Sequence, residues 1–368
     1  MNQSIPFFSG QKQSGKLSGK TVLSPLPIRT NISGANYCTV LLKRNSAYLD
    51  LGGSAGSIFQ GQILYLFFIV MIVMSLGFLL YFSSQVGYVG HIVELINHNG
   101  FSSPGYNLSN FLTGTFFICL PWVIIGSVIV LIMYSTAKDM KKVVPFRFHR
   151  QRREVAMFKW NKKRKAIVVR YFHWEKVCAM VGEGVTVTPT GMIGNGTLFI
   201  GGNDESIKGL FWAAMTYNVG NNLDGALQWE TIRRYMDYEM EDSDIVDSSQ
   251  LTFQSLIEGY CKEQNISVDE FSIETRIWWE LNGTRFGIWW NNYLSRVCRD
   301  HYKHNAEFEA WSQPIPESEW VKPSDALNYY NDMLMRNEYA QGHNILSIGD
   351  IRTKYTKYGE AVENELMS

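Results

Sequence analysis

Residues 63–82 read ILYLFFIVMIVMSLGFLLYF, twenty positions without a charge. Residues 111–134 read FLTGTFFICLPWVIIGSVIVLIMY, twenty-four positions, again uncharged. A bilayer core needs roughly 20 apolar residues of helix to cross it, and both stretches meet that length. The competing reading is a pair of core helices in a water-soluble fold, but core helices this long rarely lack both a charge and an amphipathic face. The sequence therefore predicts a membrane protein with an N-terminal α-helical transmembrane hairpin. Sixty-two residues precede the first stretch, and it is too long for a secretory signal. It is expected to be retained as a span.

The flanks predict orientation. Residues 1–60 carry Lys12, Lys16, Lys20, Arg29, Lys43 and Arg44 against one acid, Asp50, and the loop 83–110 has no Lys or Arg. After the second stretch come Lys138, Lys141, Lys142, Arg147, Arg150, Arg152 and Arg153. Basic residues in short flanks stay on the cytoplasmic side. The expected localisation is a bacterial inner (plasma) membrane, with two spans, both termini cytoplasmic and the loop outside. Neither stretch contains an ionisable Asp, Glu, Lys, Arg or His, which argues against an ion or proton pump. Pro121 should kink the second helix, Gly114, Gly126 and Ser127 suit close helix approach, and Trp122 is expected to face the partner helix.

The formal net charge is zero, yet the charge is segregated. Residues 138–170 hold thirteen Lys or Arg and two acids, whereas 171–368 hold fifteen basic and thirty acidic residues. The seven basic residues named above form a collar at the membrane, expected to contact anionic inner-leaflet lipid at roughly 1 kcal/mol each. The membrane accounts for the charge, so no nucleic-acid partner is expected. The five cysteines are odd in number and widely spaced, so a disulfide framework is not expected.

Four regions follow. Residues 1–60, rich in Ser, Gly, Lys and Asn, read as a flexible cytoplasmic tail. Residues 61–137 are the hairpin. Residues 143–242 read as a cytoplasmic α+β domain with an antiparallel sheet, whose topology by analogy is a pleckstrin-homology-like partly closed barrel. Residues 250–368 read as an aromatic-rich helical region. In the α+β domain, strands are expected around Phe146–Phe148, Val155–Trp160 and residues 166–180, with shorter ones at 185–189, 197–200 and 212–218, punctuated by turn glycines. A helix follows with Asp224 as N-cap and Trp229, Ile232, Met236 and Met240 on one face. Farther on, Ser267 to Glu270 fits a capping box and Asn282-Gly283 a helix stop, with a second helix from 284 to about 304. Ile-Trp-Trp at 277–279 and 288–290 marks an aromatic helical hairpin, read chiefly as core, with a membrane interface or a protein partner as alternatives.

No motif for catalysis stands out. The glycines between 182 and 202 match neither a phosphate loop nor a dinucleotide fingerprint, and no nucleophile elbow or zincin motif occurs. Cys298, His301 and His304 recur every three residues, but a solvated helix end explains them better than zinc. The expectation is a binding protein, not an enzyme, with no cofactor and no metal.

The stretch Trp229-Glu-Thr-Ile-Arg-Arg-Tyr-Met236, together with the basic hairpin from Phe146 to Arg153, resembles an uncharacterised bacterial family of two-span inner-membrane proteins. Its cytoplasmic helix reads Trp-x-x-Ile-Arg-x-Tyr-Met, and the resemblance covers roughly residues 60–240. Such proteins are often linked to type VI secretion and polymorphic-toxin loci. The resemblance implies an immunity or accessory protein whose partner is a toxin; the alternative is a membrane-inserting effector toxin that disrupts ion gradients. On that helix Arg233 and Arg234 read as exposed and as candidates for gripping an anionic partner.

Overall fold

The computed structural model describes the chain apart from residues 1–7, 15–17, 35–37, 39, 53–56, 98–107, 162–165, 189–190, 205–210, 246–250, 265, 302–305 and 356–368. The strands are β1 (Lys12–Ser14), β2 (Ser18–Ser24), β3 (Leu41–Arg44), β4 (Tyr48–Leu51), β5 (Phe146–His149), β6 (Glu154–Asn161), β7 (Ala166–His173), β8 (Cys178–Thr188), β9 (Gly191–Asn203) and β10 (Phe211–Val219). The helices are α1 (Ser57–Val86), α2 (Tyr88–Asn97), α3 (Leu108–Met140), α4 (Asn222–Met236), α5 (Phe253–Gln264), α6 (Ile273–Leu281), α7 (Thr284–His301), α8 (Ala306–Trp311), α9 (Asp325–Asn337), α10 (Ile345–Ile348) and α11 (Ile351–Lys354). They divide into two compact units. One comprises Met1–Gly56, Lys141–Glu270 and Leu294–Ser368; the other, Ser57–Met140 and Phe271–Tyr293.

The first unit is built on two antiparallel sheets of five strands, ordered β1-β2-β8-β9-β10 and β3-β4-β5-β6-β7. These are two open sheets where the sequence suggested one partly closed barrel. The second sheet is a meander in chain order, but the whole stretch from residue 52 to 145 intervenes between two of its neighbours. β4 pairs with β5 from Leu51↔Phe146 to Tyr48↔His149. The α1–α3 hairpin is therefore an insertion within a β-meander.

Residues 1–60 are not a flexible tail. Among the described ones, four strands enter the two sheets, and Phe8, Leu23, Leu26 and Ile28 lie in the main core with no exposed surface. Their composition is polar, β1, β2 and β3 show no apolar alternation, and β2 and β4 pair with β8 and β5, more than ninety residues away in sequence. The 250–368 region is likewise not separate. Leu327, Tyr330 and Leu334 of α9, with Ile345, Ile348 and Ile351, share that core, and Ile345 N donates to Thr30 O at 3.0 Å.

Strands cover most of each stretch expected between 143 and 242, but the single strand expected over 166–180 is broken by a 3-10 turn at Trp174–Lys176, and its last residues begin β8, which also takes in 185–188. β8 and β9 are longer than their glycines suggested: Gly182, Gly184, Gly194 and Gly196 lie inside the strands, not at turns. Gly196 is needed for close approach, since a Cβ there would sit 2.7 Å from Asn221 Cα. The N-cap of α4 is Asn221, whose side chain accepts from Asp224 N at 2.9 Å, so Asp224 lies in the first turn. α4 packs on β8, β9 and β10, with Trp229 against Trp174 at 5.0 Å between ring centroids. Ser267 to Glu270 forms a short 3-10 turn, and α6 begins only after Ser272. Residues 162–165 of the turn that the sequence predicts at 161–165, residues 246–249 of the acidic linker it predicts at 239–249, and His304 lie outside the described residues.

In the second unit α1 and α3 pack side by side. Ser75 Oγ donates to Ile118 O at 3.0 Å, and Phe78 and Phe82 meet Phe117 at 5.9 and 5.4 Å. Trp122 does meet the partner helix, edge-on to Phe68 at 6.0 Å. Pro121 sits inside α3 without ending it. Gly114 serves α2 instead of α1: a Cβ there would lie 2.5 Å from the Tyr88 ring, whose hydroxyl meets Thr115 Oγ1 at 2.8 Å. Both long helices are long and apolar enough to cross a membrane.

Candidate interaction surfaces

The expected lipid collar separates into two groups. Lys138, Lys141 and Lys142 are exposed. Arg147, Arg150 and Arg153 are buried, because β5 and the turn after it have both faces covered. The alternation of β4 and β5 places Leu49, Leu51, Phe146 and Phe148 in the main core and leaves Tyr48, Asp50, Arg147 and His149 for the opposite side. There Arg147 grips Asp50 through two hydrogen bonds, Nε to Oδ1 at 2.6 Å and Nη2 to Oδ2 at 2.7 Å. Its remaining Nη1 donates to Ser312 Oγ at 2.7 Å, and its guanidinium lies 3.8 Å from the Tyr48 ring and 4.8 Å from that of Phe308. Arg150 stacks over Tyr238 at 4.2 Å. Arg152 is half-buried and donates to Trp311 O at 3.0 Å. None of the three buried arginines is available to a headgroup.

Arg233 is also buried, at 1 % exposure; the sequence had placed it on an exposed face. It donates from Nε and Nη2 to Glu230 at 3.0 and 2.6 Å, and from Nη1 to Asp237 at 2.9 Å. Asp237 also accepts from Arg153 Nη1 at 2.6 Å, and Arg153 Nη2 reaches Glu175 at 3.1 Å. Glu239 closes the other end, accepting from Arg233 and, at 2.7 Å, from Arg29. Burial alone would raise the Glu239 carboxyl, but these two arginines outweigh it and hold it below the ordinary carboxylate range. The network ties the N-terminal segment, the β5–β6 turn and α4 together. An apolar face reading Trp229, Ile232 and Met236 left Arg233 on the polar side; what was missing was that other segments cover that side. Arg234 is only half-buried.

His149 is a second buried polar group. Its Nε2 lies 3.3 Å from Gln313 O and its ring packs edge-on to Trp311 at 5.2 Å. Burial is the main cause pushing its pKa down, to about 4. A histidine whose folded pKa is lowered stabilises the fold above its unfolded pKa of ~6.5, and that stability is lost as pH falls toward 4. Urea unfolding of the detergent-solubilised chain should therefore show stability falling by up to roughly 3 kcal/mol across that window. His149→Gln should flatten the slope; an unchanged slope in the variant would assign the titration elsewhere.

Among the described residues, no group of three His, Cys, Asp or Glu could hold a metal ion. Cys298 is buried, its thiol pushed up to about 12 by desolvation, so it belongs to packing and not to a solvated helix end.

The two long helices leave an apolar surface exposed. Only 17 % of the most apolar window of α1 and 6 % of that of α3 is buried. Leu66, Val73, Leu80, Val123, Val130 and Leu131 are each more than 60 % exposed. Fold and surface together define a class: an α+β body of two antiparallel sheets interrupted by a helical hairpin with apolar outer faces. No family model, curated protein or solved structure matches the chain.

Proposed function

We propose that this protein is a membrane-anchored binding protein, held in a bacterial inner membrane by α1 and α3, with the sheets and both termini in the cytoplasm. The observation that carries the reading is the uncovered apolar surface of the two long helices. Core helices of a soluble protein would bury that surface, and monomeric soluble proteins rarely expose patches beyond a few hundred Å². Lipid is the solvent such faces fit. The pairing of Leu51 with Phe146 supports the topology: the chain leaves a sheet at β4 and returns to it at β5, which requires both ends of the hairpin on one side. The basic flanks support the cytoplasmic side, and the exposure of Lys138, Lys141 and Lys142 leaves them as the collar residues proposed to meet anionic lipid. The role follows from the resemblance of the α4 motif: an immunity or accessory protein of a type VI secretion or toxin system, acting by holding a toxin at the membrane. The uncharged spans also suit an effector that disrupts ion gradients.

Two measurements test this. A periplasm-active reporter should be active when fused after residue 96 and silent at the C-terminus; the reverse pattern overturns the topology. Co-expression with a toxin encoded beside this gene should restore growth. Depolarisation of cells by this protein alone, with no rescue, would overturn the immunity role in favour of the effector.

A further inference from the structure

α6 is nine residues long and buries none of them, although five are large and apolar. Ile273, Ile277 and Leu281 recur every four residues and are 76 %, 55 % and 64 % exposed; Trp278, beside them, is 63 % exposed. Glu274 falls within the same arc, in the first turn, where a helix N-terminus favours an acid. Isolated helices shorter than ~12–15 residues are marginal in water, so a further surface covers this one.

The position of α6 says which surface. The first turns of α7 run antiparallel along the start of α1 within one compact unit. Ser57 Oγ donates to Asn291 Oδ1 at 2.5 Å, Trp290 Nε1 to Gln60 Oε1 at 3.0 Å, and Gln62 Nε2 to Thr284 Oγ1 at 3.1 Å. The glycines permit this approach: a Cβ on Gly61 would lie 2.6 Å from Gly287 Cα. The ladder ends with Phe286 against Tyr65, ring centroids 6.3 Å apart, and with Gly283, in the left-handed region at φ 72°, tight against the same tyrosine. Tyr65 is the third residue of the apolar stretch that opens at Ile63. The turn joining α6 to α7 thus stands at the level where α1 becomes uniformly apolar.

From this we infer that α6 is an interfacial helix, lying in the headgroup–acyl boundary of the leaflet that α1 enters, with Ile273, Ile277, Trp278 and Leu281 in lipid. Amphipathic helices bind bilayers in this way, with the apolar face a few ångströms below the headgroups. Trp and Tyr are enriched at that depth, which accounts for the exposure of Trp289 on α7. The lipid surface is favoured over a protein partner because the α6–α7 turn meets α1 at Tyr65, beside the exposed Leu66 of the same unit. The inference rests on the reading of α1 and α3 as spans.

The test uses the full chain in nanodiscs of phosphatidylethanolamine and phosphatidylglycerol, in a Cys119→Ser background that removes the exposed native thiol. Nitroxide labels are placed singly by Ile277→Cys, Trp278→Cys, Arg276→Cys and Val73→Cys, all at exposed positions. Collision with oxygen reports lipid, and collision with a water-soluble nickel complex reports water. Labels at 277, 278 and 73 should favour oxygen over nickel several-fold, and the label at 276 should do the reverse. Lipid at 73 with water at 277 and 278 would overturn the interfacial helix and leave the spans standing. Water at 73 would overturn both. Shielding of 277 and 278 from both reagents would overturn the inference in favour of a protein surface covering α6.

Discussion

Arg233→Ala should destabilise the β-rich body by about 3–5 kcal/mol, the usual cost of removing one partner from a buried ion pair. The loss exceeds that of a surface cation because Glu230 remains buried, and Asp237 mostly covered, each missing a donor that Arg233 supplies. Most proteins are only about 5–15 kcal/mol stable, so the variant should be depleted from membrane fractions and unfold at lower urea in detergent. Arg234→Ala, at the half-exposed neighbour, should cost less than about 1 kcal/mol. If the Arg233 variant accumulated normally and lost only partner binding, Arg233 would be a recognition residue after all and the network would be dispensable.

A comparable loss, again about 3–5 kcal/mol, is expected for Arg147→Met, which strands Asp50 without its two hydrogen bonds. The double variant Asp50→Leu with Arg147→Met discriminates the cause. It removes both charges, and replacing a buried pair by apolar groups of similar volume is often neutral or stabilising. It should therefore recover most of the stability lost by the single variant in the same urea titration. Additive losses would mean that Arg147 acts through its contacts with Ser312, Tyr48 and Phe308 instead of through Asp50.

These two arginines mark where reading the sequence stops. A run such as Phe146-Arg-Phe-His149 alternates apolar and polar, and alternation predicts a half-buried strand with its arginine in water. Here α8 lies over the polar side and supplies Ser312 just beyond its end, about 160 residues downstream, so both faces are covered. Local pattern carries the strand but not the second layer. The same limit applies to α4, whose apolar stripe was legible from Trp229 to Met236 while its polar side was not. The aromatic hairpin was legible as two helices broken at Gly283, and core was the expected fate of both Ile-Trp-Trp motifs. Ile288 and Trp290 are indeed buried, but Ile277 and Trp278 are not, because only α7 packs along α1.

The sequence by itself determined the two long uncharged stretches, the strands β5, β6 and β10, the β character of 166–203 without its strand boundaries, the α4 stripe and the helix stop at Gly283. Each of these depends on composition or periodicity over a few neighbouring residues. The tertiary structure alone decided that β1 to β4 join the two sheets, that the hairpin interrupts a meander between β4 and β5, and that Arg147, Arg153 and Arg233 are internal. Those outcomes depend on which distant segments cover a given face. A strand's partner and a side chain's neighbours are set by long-range packing, for which one-dimensional pattern holds no signal.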